Sequence, residues 1–501
     1  MINSSRQNIR KSFVTQPWDE APNKPPPISC LFDEILAEIF VQNAYEPCEV
    51  YAEDFMIHRT SVIYHRVFAL IGVCATWRRV GLGCPRLWTV VPVIIRGDPD
   101  LPRTPPTELI LQRTGSINLH LTISVDEFMS EKLESLSSHW HRFGVINLWS
   151  CSLYGREISE VLGKILQHSA PGSISKLSVR KQQLGFPSIL KILNIDTGPD
   201  PPIAEFVGSL SVFRITRVPI KWTEIVFSHR LVELRIDRIE ANSDSEVRGF
   251  FAALSSAREL KDLKLIAISF HQGVLSTDVP LEVISLPKLE FLYVERGYLS
   301  AIVFILAHIA PGSYHFTLNL HAGSPQNDFD PGESKADMFY AFLKSVPVDK
   351  LILQGGGDSP QQLKTHLRRT LESIPGLKTL VLNDFTVDPE VLMGLKQHIR
   401  PDSFMDNDTF AILTRLEFHN ASLETSLIDL KPGLEAVFES HRIQKMVFGA
   451  RFGSAPGVDG TPVDENDEVV RWMRDSIPQF NLSSEPTRMP EAWDKWRLWD
   501  I

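Results

Sequence analysis

The stretch VCATWRRVGLGCPRLWTVV, residues 73–91, gathers two cysteines, two tryptophans and three arginines beside a run of valines. Three chemistries could use that set: a metal or redox centre, a nucleic-acid patch, or a packed motif that docks on another protein. A structural zinc site needs four ligands. The five cysteines (Cys30, Cys48, Cys74, Cys84, Cys151) contain no C-x-x-C pair, so no zinc site or disulfide framework is signalled. HWH at 139–141 puts two histidines on one face of an expected strand, and a metal there would need a third ligand. DGTPVDENDE at 459–468 has calcium-like oxygens but no EF-hand register, which suits a solvated loop. GGGDSP at 355–360 lacks the lysine and spacing of a phosphate loop and reads as a turn. Neither G-x-S-x-G nor H-E-x-x-H occurs. The expectation is therefore no catalytic residue, no metal and no cofactor.

The elements that carry these residues belong to a long chain. It has 501 residues, which suggests several domains or one elongated repeat array. Its net charge of -10 argues against a general nucleic-acid binder. The N-terminus has no apolar h-region, so no secretory signal is expected. The apolar run YLSAIVFILAHIA, 298–310, is shorter than the roughly 20 residues of a membrane span and reads as a buried helix. Few, irregular cysteines suit reduced thiols, so a cytoplasmic or nuclear setting without membrane attachment is expected.

Residues 1–28 are polar, end in KPPP and read as a disordered tail. In LFDEILAEIF the residues Ile35, Leu36, Ile39 and Phe40 fall on one helical face, with Asp33 and Glu34 in the first turn. A polar insertion is expected at about 44–64. A second helix should then run through RVFALIGVCATWRRVGL, with Val67, Leu70, Cys74 and Trp77 on a core-facing stripe. Gly83 and Pro85 stop it, Leu87 and Trp88 plug its end, and Arg78 and Arg79 line its solvated side. This helical domain, 29–95, is followed by a linker at 96–106.

From 107 to 455 the chain repeats. An apolar triplet spaced L-x-x-L-x-L recurs, with fourth positions at Leu177, Phe213, Leu234, Leu263, Leu292, Leu351, Leu380, Leu416 and Met446. A hidden copy places Leu318 between Leu292 and Leu351, and the spacing returns repeatedly to about 29. Helical stretches separate the triplets. Strand, turn, helix, turn is then the unit, and its apolar faces bury only against neighbouring copies. The fold expected is an α/β solenoid with a curved parallel sheet on its inner side. A doubly wound α/β domain is the alternative. Residues 456–501 hold the acidic loop and a segment with Trp493, Trp496 and Trp499 on one helical face, a cap or a partner-binding helix.

The matched segments LFDEILAEIF (31–40) and VCATWRRVGLGCPRLW (73–88) resemble the F-box domain in its basidiomycete F-box-like form. TELILQRTGSINLHLTI (107–123) resembles the segment that follows it, and the repeats resemble irregular leucine-rich repeats. The resemblance implies a substrate receptor of an SCF-type cullin–RING ubiquitin ligase. It implies a Skp adaptor held by Leu31, Phe32, Ile35, Leu36, Ile39, Phe40, Val73 and Trp77, and an unknown target protein held by the repeats. Phe32 stands where the family pattern has proline. The asparagine-ladder position holds Val218, Ile268, Phe385 and Ala421 among others, so apolar packing of the turns is expected. A scaffold that no longer engages a cullin complex is the alternative function. On the concave strand face Arg180, Arg214, Arg235 and Lys264, followed by Tyr293 and Glu295, are the expected target-binding residues. Their charge suits an acidic or phosphorylated segment.

Overall fold

The computed structural model describes residues 31–483 apart from 47–54, 95–104, 126–132, 151–155, 171, 182–202, 219, 242, 271–281, 296–298, 322–332, 356–359, 397–409 and 454–459. The N-terminal tail, most of the linker and the Trp493–Trp499 segment lie outside those residues.

Three helices come first: α1 (Asp33–Tyr45), α2 (Phe55–Gly72) and α3 (Ala75–Gly83), then a 3-10 turn at Pro85–Trp88. Two expectations need correction. The second half of the expected insertion is helix: α2 starts at Phe55, and Met56, Thr60, Ile63, Tyr64 and Val67 are buried. These positions recur at helical spacing, but Thr60 and its buried neighbours Arg59 and Ser61 make the segment read as polar. The Thr60 hydroxyl satisfies itself on the Met56 carbonyl at 2.8 Å. The second correction is a break after Gly72. Cys74 is extended (φ -157°, ψ 173°) and caps α3, its thiol accepting from the Trp77 N–H at 3.5 Å. A capping residue points at the helix end, so Cys74 is exposed rather than core-facing.

Leu87 and Trp88 are fully buried, as expected. The Trp88 indole donates to the Gly81 carbonyl at 3.0 Å. Gly81 has to be glycine there: a Cβ would lie 2.4 Å from the Ile71 side chain of α2. Across the seam to the sheet, the Tyr64 hydroxyl donates to the Val90 carbonyl and the Arg113 guanidinium stacks 4.7 Å from the Trp88 ring.

The rest is α/β, built on one large, mostly parallel sheet. Its strands are β1 (Val90–Ile94), β2 (Leu119–Val125), β3 (Phe143–Ser150), β4 (Lys176–Lys181), β5 (Val212–Thr216), β6 (Glu233–Ala241), β7 (Asp262–Phe270) and β8 (Phe291–Glu295). They continue as β9 (His315–His321), β10 (Lys350–Gln354), β11 (Thr379–Asn383), β12 (Thr386–Val387), β13 (Arg415–Leu423), β14 (Lys445–Phe452), β15 (Thr461–Pro462) and β16 (Gln479–Leu482). Spatial order follows chain order from β1 to β11, then β13 and β14; β15 and β16 both pair with β14, and only β15 is antiparallel. Consecutive strands that are parallel neighbours need a crossover connection between them rather than a hairpin. Helices such as Arg156–His168, Asp244–Ser256 and Leu427–Ser440 lie between strands, where the sequence places them. The triplet leucines (Leu177, Leu234, Leu263, Leu292, Leu351, Leu380, Leu416) are buried in one contiguous core with the helices' apolar residues.

The sheet is longer than expected at both ends. It begins at Val90, inside the segment assigned to the helical domain, and runs past 455 to Leu482. The last part was hidden because QFNL has no triplet. Its helix, Glu468–Ser476, nevertheless buries Val469, Val470 and Met473. The acidic loop before it is partly structural: Asp467 caps that helix, accepting from the Val469 N–H at 2.7 Å. HWH is also not on a strand but in a 3-10 turn, Ser137–Arg142.

The expected apolar packing of the ladder turns has a backbone cause. Arg217, Arg238, Ala267, Asp384 and Asn420 all have positive φ, between 48° and 71°. Each lies four residues after an inward triplet residue. A left-handed residue turns the strand so that the side-chain alternation after it shifts by one, and beside Asn420 the register of β13 on β14 shifts as well. The next residues, Val218, Ile268, Phe385 and Ala421, therefore turn into the core. Left-handed backbone is tolerable for Asp384 and Asn420 but costs about 1 kcal/mol for alanine. Ala267→Gly is expected to raise stability by about 0.5 kcal/mol after the added freedom of the unfolded chain is subtracted. A lower urea midpoint in the variant would contradict this account of the turns.

Candidate binding surfaces

Helix α1 is apolar on two sides. Leu36, Phe40, Val41 and Ala44 are buried among α2, α3 and the Pro85–Trp88 turn. Leu31 (36% exposed), Phe32 (75%), Ile35 (48%) and Ile39 (42%) face outward, and Val73 (61%) is exposed at the α2–α3 corner. Adjacent residues on a helix lie about 100° apart, so Ile35 and Leu36, or Ile39 and Phe40, cannot share one contact. This corrects the single face expected from sequence. Leu36 and Phe40 build the domain, and Ile35 and Ile39 stay exposed on its outer side. Trp77 is half-buried, its ring centroid 4.9 Å from that of Phe40. Exposed apolar residues on one side of a helix make a candidate interaction surface, whereas single ones would not.

Ion pairs brace this face. Arg79 grips Asp33 bidentately at 2.5 and 2.9 Å, and Arg86 reaches Glu38 at 2.6 Å, tying α1 to α3 and to the 3-10 turn. The hydrogen bond from Arg79 holds the Asp33 carboxyl below its ordinary range. Both pairs are solvent-exposed, so they orient the helices more than they stabilise them.

The second surface is the sheet face opposite the core. Register places Ser178, Arg214, Arg235, Lys264, Tyr293, Thr317, Lys350, Thr379, Arg415 and Lys445 in one row across β4 to β14. Only part of the expected target-binding set is accessible. Arg180 and Arg235 are half-exposed. Arg214 is gripped by Glu233 at 2.5 and 2.9 Å, and Lys264 is buried 3.5 Å from Asp262. Tyr293 and Glu295 have no exposure at all; the Tyr293 hydroxyl donates to Glu295 at 2.8 Å and accepts from Asn319 at 3.0 Å. They cannot touch a ligand as expected. Alternation fixes the face a strand residue occupies, not whether that face is covered. Ile266, Tyr293, Ile352 and Val381 form a separate buried cluster there.

Lys350, Arg415 and Lys445 were missed. The reason is a two-residue step: Leu292 pairs with Phe316, and Leu318 with Leu351, so triplets aligned on their fourth position drift by two at β9. Aligning on the in–out alternation of YHFTLNL would have found them. Beside them sits Glu417, buried, accepting from His419 at 2.8 Å and from Arg415. Burial alone would raise its carboxyl. The His419 hydrogen bond and the charges of Arg415 and Lys350 outweigh that and hold it at about 2. A carboxyl depressed in the fold stabilises above its unfolded value and loses that contribution as pH falls. Glu417→Gln should therefore flatten the loss of stability between pH 4.5 and about 2. An acid limb identical to wild type in denaturant titrations would refute this role.

Among the described residues no group of three or more His, Cys, Asp or Glu could hold a metal ion, and no helix is long and apolar enough to cross a membrane. In comparisons with known proteins, no family model and no curated protein matches this chain.

Proposed function

We propose that this chain is an F-box substrate receptor of an SCF-type cullin–RING ubiquitin ligase, with the Skp adaptor bound at the α1 face. The carrying observation is that Leu31, Phe32, Ile35, Ile39 and Val73, all in the set the F-box resemblance assigns to the adaptor, stay exposed on a folded helical domain. A free domain gains nothing by exposing five large apolar side chains together, and a partner would bury them. Beyond the seam at Trp88 the sheet and its helices, read as an irregular leucine-rich-repeat solenoid, would hold the target. Catalysis is then by proximity: target lysines are kept near a ubiquitin-charged conjugating enzyme, which raises their effective concentration. No residue of this chain takes part in bond making.

The test is co-purification of the full chain with the Skp adaptor and cullin. A stoichiometric complex supports the reading. Its absence, with the chain folded, favours the scaffold, which Phe32 in the family's proline position specifically suggests. Phe32→Pro then decides whether that side chain is the obstruction.

A further inference from the structure

We infer that the sheet face opposite the core docks an extended acidic segment of a partner protein, held through Lys350, Arg415 and Lys445. This deepens the reading above, from which it takes only that the repeats are the target-holding part.

The charge distribution carries the inference. The chain has 61 acidic and 51 basic side chains. Yet the row from β4 to β14 holds six cations and no carboxylate. Like charges directly opposite on neighbouring strands destabilise a sheet. Arg214, Arg235 and Lys264 are three such neighbours, and Arg415 and Lys445 are two more. Glu233, Asp262 and Glu417 in the flanking rows offset Arg214, Lys264 and Arg415; the row itself still sets its cations on neighbouring strands, where an anionic ligand laid along it would meet them in succession.

Access selects which part of the row is used. Arg214 is turned to Glu233, and Lys264 is buried beside Asp262. In the second half Lys350 and Lys445 are half-exposed, and the Arg415 side chain is 39% exposed although its Nε is on Glu417. Half-exposed Thr379 and exposed Gln479 continue the row between and beyond them as neutral hydrogen-bonding groups. Strands lie about 4.8 Å apart, so Lys350 to Lys445 spans three gaps, roughly 14 Å, the reach of about four extended residues. A segment crossing the strands with carboxylates at alternate positions fits that span. A long nucleic acid does not suit so short a row on a chain of net charge -10.

The experiment measures fluorescence anisotropy of a labelled peptide of alternating glutamate and serine with the full-length chain, at about 50 mM and about 300 mM salt. Binding should appear at low salt, weaken at high salt, and fall about tenfold in Lys350→Gln/Lys445→Gln. Lys344→Gln, exposed on the helix Glu333–Ser345, should bind like wild type. No binding at low salt overturns the inference, as does equal loss in the Lys344 variant or none in the double variant. A labelled single-stranded oligonucleotide that binds as tightly and loses as much would also overturn it, by marking a generic polyanion site. Adaptor capture and peptide binding by the wild-type chain, measured side by side, separate the two readings. Capture with no peptide binding sinks this inference alone, and peptide binding with no capture sinks the adaptor reading alone.

Discussion

Ile35→Asp/Ile39→Asp should leave the chain folded and, on the receptor reading proposed above, abolish capture of the adaptor. Both side chains are more than 40% exposed (48% and 42%) on the outer side of α1. Exposed positions away from caps and cores change stability by no more than about 0.5 kcal/mol. At an interface the same positions would be central and desolvated, and each aspartate would bury a charge against apolar surface. Two such losses weaken binding by more than about a hundredfold. The measurement is co-purification beside a thermal melt. Adaptor capture equal to wild type in a folded variant would place the contact elsewhere. Leu36→Asp is the uninformative neighbour: it also loses the adaptor, but by breaking the domain core.

That contrast between adjacent residues shows where sequence reading stops. Period 3.6 identifies α1 as a helix with apolar residues, and it cannot divide them between the domain and its partner. The division needs the position of Trp77 and the Pro85–Trp88 turn, which come from a distant segment. The repeated strands were legible because parallel strands bury leucines at regular intervals, and helices such as Arg156–His168, Asp244–Ser256 and Leu427–Ser440 do fall between them. The first half of helix α2 was lost to the polar residues Arg59, Thr60 and Ser61, all buried, and β16 to the lack of a triplet. The cation row was half legible. Arg214, Arg235 and Lys264 follow the triplets, while Lys350, Arg415 and Lys445 sit two residues off the expected alignment because of the step at β9. Local alternation survives such a step, and a count along the chain does not.

Trp88→Ala should lower stability by about 3–5 kcal/mol, the cost of emptying a site that held a fully buried aromatic side chain. The argument goes beyond volume. The Trp88 ring lies 6.2 Å from Tyr64 and 6.5 Å from Phe68, both on α2, and under Arg113 on the other side. Its N–H fills the Gly81 carbonyl on α3. Two residues later the chain enters β1, whose Val90 carbonyl takes the Tyr64 hydroxyl. Trp88 therefore couples the helical domain to the first strand, and losing it weakens both at once. Trp88→Phe keeps most of the volume but leaves the Gly81 carbonyl unpaired, at about 1–3 kcal/mol. Hydrogen exchange reads the difference. In Trp88→Ala, amides of α2 and β1 should lose protection together while β13 and β14 keep theirs. Loss confined to α2 would mean that the two parts are held independently. Adaptor binding should fall in this variant too, but in proportion to the unfolded fraction, unlike Ile35→Asp/Ile39→Asp, where binding is lost at full stability.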